Sequence, residues 1–377
     1  MKNCKASFTH FDTLYPIKHL YLEVTSRCNL SCPQCSVLSR KPKAQDPDVD
    51  LLRVLLSDFY NIGGRYLTIS GGEPGLRADL PAIISKATNL GIDVTVYTNG
   101  TAVTQEVLEC VKDASGILAV SIDGPNADIH EQMRGKGSFA FAVSRLEKAI
   151  EFLGGRHVML SSILSKPLLS HIEKFVDFVR SYPISVLYMG LFEPLVDYTI
   201  HDHAPNAQEL IPAVLYLLDS LNREEDPQLL FSESYDLIKL NSPFSIRKQE
   251  KIVGSTVKVQ ADGWAYPGPF FYDSGFRLGR PMEQGWAAVQ QSDVYAELLT
   301  RARERIDKVK ECSQCFWSGR CGGGSLALTW ASYGRWDEVC PLCKLYKATL
   351  ERAARIFLKN ESNTLSQKKG HQASQRV

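Results

Sequence analysis

The chain is 377 residues long, room for two or three domains of about 150 residues and for a sizeable core. With 44% hydrophobic and 23% charged side chains and a formal charge of +1, it excludes fibrous and wholly disordered classes, and it lacks the broad basic footprint of a nucleic-acid or anionic-lipid binder. It has no run of about 18 apolar residues and no apolar signal segment at its start, so no membrane association and a cytoplasmic location are expected.

Taken in chain order, residues 1–16 read as an N-terminal extension with no expected leader-binding domain. From 17 to 205, strand-like runs at 18–25, 66–70, 93–98, 117–122, 157–163 and 185–191 alternate with amphipathic stretches at 49–60, 80–89, 105–113, 139–152 and 169–180. That alternation is the signature of βα units around a parallel sheet. Residues 206–254 read as a bridge, helical over 209–222 and then broken by an acidic run. A second, small domain follows over 255–359, with a strand at 256–266, a helix at 287–310 and a last helix near 344–358. The polar residues 360–377 are expected to be a disordered tail.

The ten cysteines decide the chemistry, because a reducing compartment turns clustered thiols toward metal rather than disulfides. Cys28, Cys32 and Cys35 lie on one loop after the first strand, at Cys-x3-Cys-x2-Cys spacing. Three thiolates leave one corner of a metal centre open to a small molecule, whereas a closed structural site wants four. A zinc site completed by a distant histidine is the competing reading. Ser70-Gly71-Gly72-Glu73-Pro74 follows the second strand, where glycines allow close backbone approach and a carboxylate can meet an ammonium. Thr98-Asn99-Gly100, Ser121-Ile122-Asp123-Gly124 and His130 to Arg134-Gly135 follow in order, and taken singly are ordinary βα-loop chemistry.

Together these motifs resemble the radical S-adenosylmethionine (SAM) superfamily, whose fold is a partial (β/α)6 TIM-type barrel. The resemblance implies that Cys28, Cys32 and Cys35 hold a SAM-binding [4Fe-4S] cluster. It also implies that Gly71, Gly72 and Glu73 meet the SAM amino group, that Asn99, Ser121 and Asp123 line the cofactor site, and that Arg134 pairs with the SAM carboxylate. Gln34 stands where the family carries an aromatic residue that helps to hold adenine.

The late cysteines Cys312, Cys315, Cys321, Cys340 and Cys343 are similar to the SPASM or twitch extension behind many such barrels, a small cysteine-rich iron-sulfur domain. One auxiliary [4Fe-4S] cluster on Cys312, Cys315, Cys321 and Cys340 is implied, with Cys343 the competing fourth ligand. Gly268 after Tyr266-Pro267, and Ser325, stand where a second auxiliary cluster would need cysteines, so two clusters in all are expected. A zinc ribbon on Cys312/Cys315 and Cys340/Cys343 is the competing assignment, and leaves Cys321 unused. Cys110 reads as a small buried hydrophobe, and Arg301, Arg303 and Arg305 with Lys308 and Lys310 as one solvated helix face.

The resemblance implies an enzyme that cleaves SAM to a 5′-deoxyadenosyl radical and takes hydrogen from a substrate C–H bond. It implies an electron donor such as flavodoxin or ferredoxin and a peptide or small-molecule substrate, with modification of a ribosomally made peptide the leading expectation. Tetrapyrrole side-chain modification and a non-catalytic iron-sulfur protein are the alternatives.

Overall fold

A computed structural model describes residues 17–39, 45–192, 202–232 and 255–374, with 360–374 as helical backbone. Seven strands, β1 (His19–Thr25), β2 (Tyr66–Gly71), β3 (Asp93–Thr98), β4 (Ile117–Ser121), β5 (Val158–Ile163), β6 (Val186–Gly190) and β7 (Gln228–Phe231), pair in sequence and in parallel. β8 (Thr256–Val259) joins the open side of β1 in parallel, and β9 (Ala265–Tyr266) turns back antiparallel to it.

Alternation along each strand gives the sheet two faces. Leu20, Leu22 and Val24 of β1, Val94 and Val96 of β3, and Leu118 and Val120 of β4 enter the main core with the covering helices. On the other face Tyr97, Ala119, Met159, Val186, Tyr188 and Leu230 form a separate small cluster. Strands sit about 4.8 Å apart, so β3 and β6 in a flat sheet would lie about 14 Å apart. The rings of Tyr97 and Tyr188 nevertheless meet edge-on with centroids 6.2 Å apart, and Tyr21 reaches Tyr97 at 6.5 Å. The sheet is therefore curled into a partial barrel, with these tyrosines across its interior.

Local chemistry sets the helix starts. Asp48 caps the Val49–Asn61 helix, Thr104 caps Gln105–Asp113 and Asn126 caps Ala127–Arg134, each through its side-chain oxygen. Asn206 and Glu209 form a reciprocal capping box on Ala207–Ser220. The C-terminal part docks on the barrel through Trp286, 2% exposed, whose ring lies 5.4 Å from that of Phe59 and whose indole N–H donates to the Leu55 carbonyl at 3.2 Å. Burying such a ring against another is worth about 2–4 kcal/mol.

Several expectations change. The sheet does not stop near 205, because the Ala207–Ser220 helix leads into β7, which pairs with β6. The rest of the expected bridge, 233–254, lies outside the described residues. The run at 256–266 is a hairpin rather than one strand, since Asp262-Gly263 makes a tight turn with Gly263 at φ +88°. The stretch at 287–310 is split between Pro281–Gln290 and Asp293–Lys308, and Leu326–Tyr333 adds a helix. The last helix runs Cys343–Ser374, past 359 into the expected disordered tail. Once its docked first half is formed, extension through good helix formers such as Glu361, Gln367 and Lys368 costs little.

Candidate functional site

The first cysteine loop leaves the C-terminal end of β1, where βα loops build sites in barrel folds. Thr25 Oγ1 and the Arg27 guanidinium both donate to Asp46, at 2.6 Å and at 3.0 and 2.5 Å, fixing the start of the loop. A tight turn then sets the Cys35 N–H on the Cys32 carbonyl at 3.1 Å. All three cysteines are half-buried and none is in a disulfide. Burial pushes the Cys28 thiol up, and pushes Cys32 to about 11 against the pull of Arg134, with Cys35, Asp123 and Cys28 adding to the rise. Thiols so placed hold thiolate charge well only when a metal centre compensates it.

The β2 loop passes so close beneath that a side chain cannot fit. A Cβ on Gly71, whose φ is +127°, would lie 2.2 Å from the Thr25 carbonyl oxygen, and one on Gly72 would lie 2.0 Å from that of Arg27. The Glu73 carboxylate is fully buried and turned inward. It accepts from Thr98 Oγ1 at 2.8 Å, the Asn99 N–H at 2.7 Å and the Gly75 N–H at 3.1 Å, so it braces the β3 loop. Asn99 reaches on, its Nδ2 lying 3.8 Å from Cys28 Sγ and donating to Asn29 Oδ1 at 3.1 Å.

After β4, Ser121 is 8% exposed and Asp123 is fully buried. Asp123 Oδ1 accepts from the Ile163 N–H at 2.9 Å, and Oδ2 accepts from Arg134 Nε at 2.6 Å and Gln34 Nε2 at 3.3 Å. Arg134 thus engages Asp123 through Nε, with both terminal nitrogens left without a partner among the described residues. The structure brings Gly71, Gly72, Glu73, Asn99, Asp123 and Arg134 into one assembly with the thiol trio. Two residues named in the sequence take contacts that it did not announce. Gln34 ties the cysteine loop to Asp123 and leaves a buried Oε1 without a partner, and His130 Nδ1 accepts from the Asp123 N–H at 3.1 Å.

The late cysteines converge as well. Cys312, Cys315, Cys321, Cys340 and Cys343 line one cavity together with Trp317, Tyr346 and Lys347. Burial pushes the Cys321 thiol up to about 12, with Cys340, Cys343 and Cys312 adding to the rise. Gly324, at φ +79°, packs so tightly on Cys340 that a Cβ there would lie 2.9 Å from its sulfur. Among the described residues no group of three His, Cys, Asp or Glu side chains is drawn around a point that would hold a single metal ion. Arg305 corrects the expectation of a solvated face. It is 3% exposed and donates to the carbonyls of Gly323, Trp336 and Glu338 and to Thr329 Oγ1, while Arg301 and Lys308 make surface pairs with Glu297 and Glu304. Cys110, expected to be buried, is half-buried beside Ser85.

The donor sets fit the groups that the resemblance implies. Three thiols stand beside a guanidinium whose terminal nitrogens have no partner among the described residues and beside an orphaned buried amide oxygen; elsewhere, five thiols share one cavity. No helix among the described residues is long and apolar enough to cross a membrane.

Residues 22–179 match the radical SAM superfamily. The chain is 25% identical to the mycofactocin maturase MftC of Mycolicibacterium smegmatis, over 81% of this chain and 77% of that protein. It is also 25% identical to the AdoMet-dependent heme synthase of Methanosarcina barkeri, over 85% of this chain and 94% of that protein. The fold matches anSMEcpe solved with bound AdoMet and the Kp18Cys peptide, with a TM-score of 0.75 and 18% identity, over 92% of this chain and 99% of that one. The parallel partial barrel, the cysteine loop after β1 and the family match over 22–179 agree, and the chain is an enzyme that carries a radical SAM superfamily domain over those residues.

Proposed function

We propose that this enzyme carries out radical SAM chemistry on a ribosomally made peptide, with one auxiliary cluster besides the SAM-binding one. The observation that carries the reading is the pairing of a three-thiol loop at the mouth of the barrel with a separate five-thiol cavity. Cys28, Cys32 and Cys35 would hold a [4Fe-4S] cluster, and Cys312, Cys315 and Cys321 with Cys340 or Cys343 a second. When bound, cluster and SAM supply a 5′-deoxyadenosyl radical that takes a hydrogen atom from a substrate C–H bond.

The chain's own residues do the rest. Arg134, held by Asp123, offers two free terminal nitrogens to a carboxylate. Glu73 holds the β2 and β3 loops in register while the Gly71-Gly72 backbone packs directly on Thr25 and Arg27 and so fixes the cysteine loop. Asn99 donates toward Cys28. An electron donor of the flavodoxin or ferredoxin type would supply reducing equivalents.

A peptide substrate is supported by the maturase relative and by a fold shared with a peptide-bound structure. The heme synthase relative, at equal identity, supports tetrapyrrole side-chain modification as a second reading. The test incubates anaerobically reconstituted enzyme with SAM, dithionite and synthetic peptides made from the short reading frames that neighbour its gene. A changed peptide mass, with deuterium passing from labelled peptide into 5′-deoxyadenosine, is expected. Conversion of an iron coproporphyrin with no change in the peptide would select the second reading.

A further inference from the structure

The most exposed large apolar side chain among the described residues stands in the late cysteine loop. Phe316, between Cys315 and Trp317, is 80% exposed, and its ring lies edge-on to that of Trp317 with centroids 4.9 Å apart. Trp317 lines the five-thiol cavity, so this aromatic pair runs from the surface to the cavity wall. The charges close to it are mostly of one sign. Lys310 stands two residues before Cys312, Lys344 follows Cys343, and Lys347 lines the cavity one helical turn further on. All three are exposed, and none is in an ion pair among the described residues. Two residues of chain reach at most about 7 Å, so Lys310 and Lys344 stay close to the thiols. The nearby acids are Glu311, exposed on the cavity rim, and Glu338, which pairs with Arg335. The whole chain carries only +1, so this face concentrates positive charge that the rest of the surface balances.

A single exposed phenyl is ordinary on a protein surface. Its place against the wall of the thiol cavity, among unpaired lysines, sets this one apart. Like charges gathered around an exposed ring do nothing for the chain's own stability, but they suit association: the aromatic residue anchors the centre of a contact, and the cations steer a partner of opposite charge and raise its encounter rate. A second copy of this chain would bring the same lysines to a symmetric contact and be repelled. SAM cleavage takes one electron from outside the protein, and an acidic electron carrier has the complementary surface. Docked here, such a carrier would lose one electron and the cluster proposed for this cavity would gain it, with no further reactant.

We propose that an acidic one-electron carrier protein docks on Phe316, Lys310 and Lys344, over the five-thiol cavity, to hand over its electron. The inference rests on the two-cluster reading above.

The test uses full-length, anaerobic, cluster-loaded enzyme with SAM, and a bacterial flavodoxin in its hydroquinone form as the probe. Rates of 5′-deoxyadenosine formation are measured against flavodoxin concentration, and separately with dithionite, which is small and needs no docking surface. Lys310→Glu/Lys344→Glu should raise the KM for flavodoxin about tenfold and Phe316→Ser about fivefold, with the dithionite-driven rate and the iron content unchanged. Added salt should raise the wild-type KM steeply and that of the charge-reversed variant hardly at all. Wild-type KM values in both variants would overturn the proposal, as would equal losses with dithionite. A wild-type dimer that Phe316→Ser dissociates, with KM unchanged, would give the face to a second copy instead. About eight irons with unaltered KM values would remove this inference alone, whereas a wild type with only about four irons would remove the auxiliary cluster and this inference with it.

Discussion

Replacing Arg305 by Met tests how the cysteine-rich lobe is held. The guanidinium, 3% exposed, joins the Asp293–Lys308 helix to three loop carbonyls, at 2.9 Å to Gly323, 2.5 Å to Trp336 and 2.9 Å to Glu338, and to Thr329 Oγ1 at 2.8 Å. Hydrogen bonds to a charged group are worth about 1.5–3 kcal/mol each, but four on one side chain are not additive, and its desolvation opposes them. Breaking a buried network of this kind costs about 3–5 kcal/mol. That is a large share of the roughly 5–15 kcal/mol that holds a domain, and corresponds to about 12–20 °C in the midpoint of a lobe of about 120 residues. Gly323 and Cys340 line the same cavity, so losing the clamp should also release the metal proposed for that cavity. Differential scanning calorimetry and iron analysis of Arg305→Met should show the lower midpoint and about half the wild-type iron, with Arg305→Lys between the two. An unchanged midpoint with full iron would refute the clamp.

Three further outcomes follow from the first site. Arg134→Lys should keep the Asp123 ion pair and the bound iron while SAM affinity, by equilibrium dialysis, falls about tenfold; full affinity would remove Arg134 from the SAM site. Gly72→Ala forces a Cβ to 2.0 Å from the Arg27 carbonyl, so the cysteine loop must shift, and iron at the SAM cluster should be lost while the auxiliary iron stays. Burial lowers His130 to about 4, below its unfolded value of about 6.5, so the neutral ring contributes stability that is present above about pH 6.5 and lost as pH falls toward 4. The lost contribution is about 3 kcal/mol, so the apo-protein midpoint should fall more steeply from pH 7 to 4.5 in the wild type than in His130→Gln. Parallel curves would contradict it.

Much of the barrel was legible because its signals are local. The strands from β1 to β6 are short β-branched or aromatic runs, and the helices between them carry their own caps. β7 was not legible: Gln228–Phe231 is four residues behind an acidic break, and only pairing with β6 makes it a strand. At the site, the cysteine loop and the Gly71-Gly72 turn declare themselves by spacing. Their supports do not, because Glu73 and Thr98, or Gln34 and Asp123, meet only when neighbouring loops close. Arg305 is the clearest case. In the sequence it is one of several alternating charges, and its burial is decided by a loop that returns from Gly323 to Glu338.

The most direct test is to count iron and sulfide in anaerobically reconstituted protein, and to measure 5′-deoxyadenosine after dithionite and SAM, in the wild type and in the Cys28→Ala/Cys32→Ala/Cys35→Ala variant. About eight irons with SAM cleavage, falling to about four irons and no cleavage in the variant, is the predicted result. A wild type that forms no 5′-deoxyadenosine, or a variant that still does, would contradict the assignment of radical chemistry to this cysteine loop.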